Sequence, residues 1–63
     1  MNQAQANKMA AKLSKTDGQQ FVVWVFDQGR DVYNADQTRM YAPLIQIEAA
    51  FVGGLQVSVE VAA

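Results

Sequence analysis

One stretch of this 63-residue chain is apolar at every position, Phe21-Val22-Val23-Trp24-Val25-Phe26, and it limits the fold more than any other feature. Its residues are β-branched or aromatic, which favours a strand. It does not alternate with polar residues, so both of its faces call for burial. Phe21, Val23 and Val25 project to one side and Val22, Trp24 and Phe26 to the other. A single thin helix can cover only one of these sides. The second must meet other strands or another subunit. The run is also far short of the roughly 20 residues that a membrane-spanning helix needs.

Size makes this demand more pressing. A domain of about 60 residues buries only about 60% of the surface its unfolded chain exposes. Small domains commonly add a disulfide, a metal or a partner. With no cysteine and no histidine in the sequence, a disulfide is impossible and the commonest transition-metal ligands are missing. Self-association is the reinforcement most available, and an apolar content of 51% suits it.

Residues 3–15 predict a helix, since good helix formers fill the segment and neither Gly nor Pro interrupts it. Ala6, Met9, Ala10 and Leu13 fall on one apolar face, and Lys8, Lys12 and Lys15 on another. Gly18 suits a left-handed cap after the helix. Asp27-Gln28-Gly29-Arg30 reads as a hairpin turn. A two-residue loop at Gln28-Gly29 pairs Val25 with Val32 and Trp24 with Tyr33. The second strand is then residues 31–35. Residues 34–37 look like a further turn, and residues 38–41 like a short strand.

Residues 44–52 are ambiguous. Pro43 and Gly53-Gly54 could bracket a short helix. Ile45, Ile47, Ala49 and Phe51 nevertheless alternate as a strand does, and the strand is preferred. Leu55, Val57, Val59 and Val61 alternate with Gln56, Ser58 and Glu60, as in a half-buried strand. A two-residue loop at Gly53-Gly54 sets Phe51 opposite Gln56. A three-residue loop sets Phe51 opposite Val57 and Ala49 opposite Val59, apolar against apolar, and is favoured. The expected fold is α+β: an N-terminal helix packed on a small antiparallel sheet of four to five short strands. No repeat or linker divides residues 1–63, so one small domain is expected.

Catalytic signatures are missing. Nucleophilic catalysis needs an activated nucleophile with a base in reach. Ser14 and Ser58 have no evident partner for that role. Asp27, Asp31 and Asp36 sit at predicted turns, where aspartate commonly bonds its own backbone. The Asp27-x-Gly29-x-Asp31 spacing lacks the ligand density of a calcium loop. Gly53-Gly54 lacks the Lys-Ser/Thr and the following helix of a phosphate cradle. The expectation is a non-enzymatic binding protein with no metal and no cofactor.

Binding candidates are clearer. Trp24, Tyr33 and Tyr41, with Arg30 and Arg39 near them in sequence, are the residue types enriched at binding hot spots. They suggest a homo-oligomer that contacts another protein. A second possibility is capture of a small anionic ligand such as a nucleotide between subunits. A third is weak nucleic-acid binding through Lys8, Lys12 and Lys15. The net charge of −1 argues against it, because phosphate neutralisation carries such affinity. The apolar helix face is too rich in alanine for a membrane role. No basic start followed by an apolar core is visible, so a soluble, cytoplasmic protein is expected. Short, cysteine-free, mildly acidic and without a catalytic signature, the chain resembles small accessory proteins of phages and mobile elements. That resemblance implies an inhibitor that covers a host protein's surface or captures a small signalling molecule.

Overall fold

A computed structural model describes residues 1–41 and 44–59. Helix α1 (Gln3–Asp17) is followed by strands β1 (Phe21–Phe26) and β2 (Gly29–Asn34), helix α2 (Ala35–Tyr41), and strands β3 (Gln46–Val52) and β4 (Leu55–Val57). The strands form one antiparallel four-stranded sheet in the order β2-β1-β3-β4. The α+β fold with an N-terminal helix on an antiparallel sheet is therefore present. Pro43 and Val61 lie outside the described residues.

Both helices start with the same device. Asn2 Oδ1 accepts from the Gln5 amide at 2.8 Å, and Gln5 Oε1 accepts from the Asn2 amide at 3.0 Å. Asn34 and Gln37 repeat this reciprocal pair at 2.9 and 3.0 Å. Each pair satisfies amides that a helix start leaves unbonded. This is why residues 35–41 form α2, where a turn and a short strand were expected. Thr38 Oγ1 adds a bond to the Asn34 carbonyl at 2.7 Å. Gly18 ends α1 in the expected left-handed conformation, φ 74°, its amide bonded to the Ser14 carbonyl.

α1 meets the sheet through a different face from the one the apolar spacing suggested. Ala6, Ala10 and Ser14 are completely buried, at i, i+4 and i+8, whereas Met9 and Leu13 are exposed. Small side chains let the helix axis approach Phe21, Val23, Ala49 and Phe51, which are all buried beneath it. Ser14 fits this face because its hydroxyl is fully used. It donates to the Ala11 carbonyl and accepts from the Gly54 amide, each at 2.9 Å. The end of α1 is thereby tied to the β3–β4 turn.

Both hairpin registers differ from expectation. In the first, Phe26 pairs with Gly29, Trp24 with Asp31 and Val23 with Val32, so the loop is Asp27-Gln28. Gly29 opens β2 because another backbone passes close by. A β-carbon there would lie 2.8 Å from the Met1 carbonyl oxygen. That same carbonyl accepts from the Arg30 amide at 3.0 Å. The shift is by two residues, which preserves the side each residue faces.

The second hairpin has the two-residue loop, Gly53-Gly54, with Val52 opposite Leu55, Phe51 opposite Gln56 and Ala50 opposite Val57. Both glycines have positive φ, 59° and 85°, the geometry of the tight turn that matches strand twist. A change of one residue in the loop turns a strand over. Leu55 and Val57 therefore lie on the sheet side away from α1, and every residue of β4 is exposed rather than half-buried.

Candidate functional site: the sheet face opposite α1

On the side away from α1, side chains from β1, β2 and α2 form an aromatic row. Ring centroids are 5.0 Å apart for Trp24 and Phe26, 5.1 Å for Trp24 and Tyr33, and 5.4 Å for Tyr33 and Tyr41, all tilted. These spacings fall in the range where aromatic pairs attract beyond simple burial. Trp24 and Tyr33 meet diagonally rather than as direct partners. Phe26 and Tyr41, at the two ends of the row, are exposed. The Trp24 Nε1 atom is buried, with no hydrogen-bond partner among the described residues.

The row continues toward the other edge as an aliphatic surface. Val22 and Ala50 are buried, but Val52, Leu55 and Val57 are 43%, 73% and 37% exposed. By register, Val52 is opposite Leu55 and Ala50 opposite Val57. α2 lies against β2 and β1, so the short helix shields the aromatic half of this face, while Val52, Leu55 and Val57 on the other half stay exposed.

Trp24, Tyr33 and Tyr41 are thus brought together, but the arginines do not join them. Arg30 alternates with Tyr33 and shares the α1 side of β2 with Val32, which packs against the core. Its Nε and Nη2 atoms donate to the two carboxylate oxygens of Glu48, each at 3.0 Å. Between Val23 and Trp24 the β1–β3 register shifts, so that Val23 pairs with Ala49 and Trp24 with Ile47. Glu48 is the extra residue of this bulge, a device that re-aims a side chain. The hydrogen bonds from Arg30 hold the Glu48 carboxyl below its usual value, and Glu48 raises Arg30 in return. Arg39 pairs with Asp36 one helical turn away on the exposed side of α2.

Lys8, Lys12 and Lys15 stand exposed on α1. The stem of Lys15 passes beside Gly54, where an added β-carbon would meet the Lys15 Cβ at 3.2 Å. Asp31 bonds locally, its Oδ1 accepting from the Val32 amide at 2.7 Å. Among the described residues no three acidic side chains gather in a metal-binding arrangement. No described helix is long and apolar enough to cross a membrane.

Two features were not legible in the sequence. Leu55 and Val57 were expected on the apolar side of a half-buried strand, with Val57 opposite Phe51, although Gly53-Gly54 is a strong signal for the two-residue loop that turns them outward. Glu48 lay in the ambiguous segment, and a bulge leaves no reliable mark in a single sequence. No protein-family model, curated protein or solved structure matches the chain.

Proposed function

We propose that this protein is a non-enzymatic binding module that acts as a homo-oligomer and contacts another protein through the sheet face opposite α1. The observation that carries this reading is the half-covered face, on which Val52, Leu55 and Val57 continue the aromatic row into solvent. Contiguous apolar surface of this kind on a small protein marks an interaction site. The capture of a small anionic ligand draws no comparable support, because Arg30 is engaged by Glu48 and Arg39 by Asp36. The resemblance to small phage and mobile-element proteins extends the proposal to inhibition of a host protein. Light scattering across the micromolar range tests the oligomer. A molar mass that rises with concentration above one chain supports it, and a clean monomer throughout contradicts it. Retention of a defined protein from a host lysate by the wild type, and its loss on Leu55→Gln, tests the second contact.

A further inference from the structure

The geometry points to the outer edge of β4 as the self-association site, pairing antiparallel with β4 of a second copy about a two-fold axis at Val57. The inference rests on the homo-oligomeric reading above and makes it specific. The two edges of the sheet are treated differently. At the β2 edge the Met1 backbone is already in place, its carbonyl accepting from the Arg30 amide and its nitrogen donating to the Arg30 carbonyl. β2 also carries two charged residues, Arg30 and Asp31. β4 ends the sheet on the other side with no strand beyond it among the described residues. Natural edge strands are usually guarded by shortness, a charge, a proline or a bulge; β4 is itself short, three residues, but has none of the other guards. Leu55-Gln56-Val57-Ser58-Val59 has no charge and no proline, and β4 pairs with β3 without a bulge.

The occupant follows from the symmetry of that segment. Read in either direction from Val57, it is polar and then apolar. A two-fold axis there sets Val57 against Val57, Gln56 against Ser58 and Leu55 against Val59. Every pair is like with like and none brings equal charges together, as an isologous contact requires. Backbone directions agree. Val52 and Leu55 close a two-residue hairpin and so form its hydrogen-bonded pair. Alternation then turns the Val57 amide and carbonyl toward β3 and those of Gln56 outward, and a strand continued one residue past β4 would present those of Ser58 outward as well. Gln56 and Ser58 of opposing copies can exchange both bonds, twice over in the dimer. Leu55 and Val57 of each copy, exposed on the side away from α1 in the single chain, would cluster there, and Val59, exposed just beyond β4, would join them in a strand extended by the pairing.

The chain has no cysteine, so single-cysteine variants report position directly. Across a non-hydrogen-bonded antiparallel pair the Cα atoms are about 4.5 Å apart, close enough for a disulfide. The experiment combines sedimentation of the wild type with mild oxidation of Val57→Cys, Phe26→Cys and Lys8→Cys. A wild-type dimer together with crosslinking at Val57→Cys alone is the expected result. A wild-type dimer that crosslinks at Phe26→Cys and not at Val57→Cys overturns the β4 pairing and leaves the homo-oligomer standing. A monomer at every concentration overturns both. Ser58→Pro provides a second reading, because it deletes an outward amide at an edge position that tolerates proline. It should weaken dimerisation by about tenfold or more with the circular-dichroism spectrum unchanged. An unchanged dimer constant contradicts the pairing.

Discussion

The two faces of the sheet solve the burial of Phe21–Phe26 in different ways. Toward α1, the side chains of Ala6, Ala10 and Ser14 are small, and everything beneath them is sealed. Away from α1, large aromatics stack on one another, a helix of seven residues shields one half, and the aliphatic half stays open. A thin helix covers a face fully when its contact residues are small enough for close approach. A row of large rings fills space but leaves its ends and its neighbours in solvent. One face therefore holds the fold together, and the other keeps apolar side chains in solvent.

Mutations should separate the two. Phe51→Ala, beneath α1, is expected to destabilise by about 3–5 kcal/mol, enough to unfold most of a domain whose total stability is marginal. Urea unfolding measures it, and a loss under about 1 kcal/mol would mean that the α1 face is not the core. Ser14→Ala keeps the packing but leaves the Gly54 amide without its acceptor, a loss of about 1–3 kcal/mol. Equal stability of variant and wild type would show that the bond between α1 and the β3–β4 turn is dispensable.

Acidification comes next in order. Glu48 has its carboxyl lowered in the folded state, so the unfolded chain binds the extra proton first as pH falls. The stabilisation from the Arg30 pair is therefore complete above the ordinary carboxylate range and fades as pH drops through the lower, folded value. Glu48→Gln should flatten that acid limb of the stability curve. An identical limb in both proteins would show that the pair does not act. On the open face, Leu55→Gln should change stability by no more than about 0.5 kcal/mol while weakening self-association. The reverse pattern would collapse the distinction between the two faces.

What could be read from the sequence follows the same division. β1, the α1 span and the Gly18 cap carry strong local signals, in propensity, apolar run and stop residue, and the structure has them. The preference for a strand in the ambiguous segment also holds, as β3. Asn34-x-x-Gln37 had the same signal as Asn2-x-x-Gln5, but Asn34 to Gln37 also suits a turn, and only the reciprocal side-chain bonds distinguish a helix start. The α1 contact face was misread because apolar spacing rewards Met9 and Leu13, whereas close approach to a sheet selects Ala6, Ala10 and Ser14. The β4 side was misread because pairing apolar with apolar outweighed turn geometry. The sheet instead accepts Phe51 opposite Gln56 and sends Leu55 and Val57 outward. Trp24, Tyr33 and Tyr41 were legible as a group, since a register shift of two residues preserves side. The alliance of Arg30 with them was not, because Arg30 faces the other way and the bulge at Glu48 supplies its partner.

The contrast between a finished face and an open one is tested most directly by residue-resolved amide hydrogen exchange at two protein concentrations a hundredfold apart. The amides of Gln56 and Ser58 should pass from unprotected to protected at the higher concentration, while those of β1 and α1, already closed in the single chain, should be protected at both and gain only the uniform increment that dimerisation adds to global stability. Protection that appears instead around Phe26 and Tyr41, or that does not change with concentration at any residue, would contradict the account.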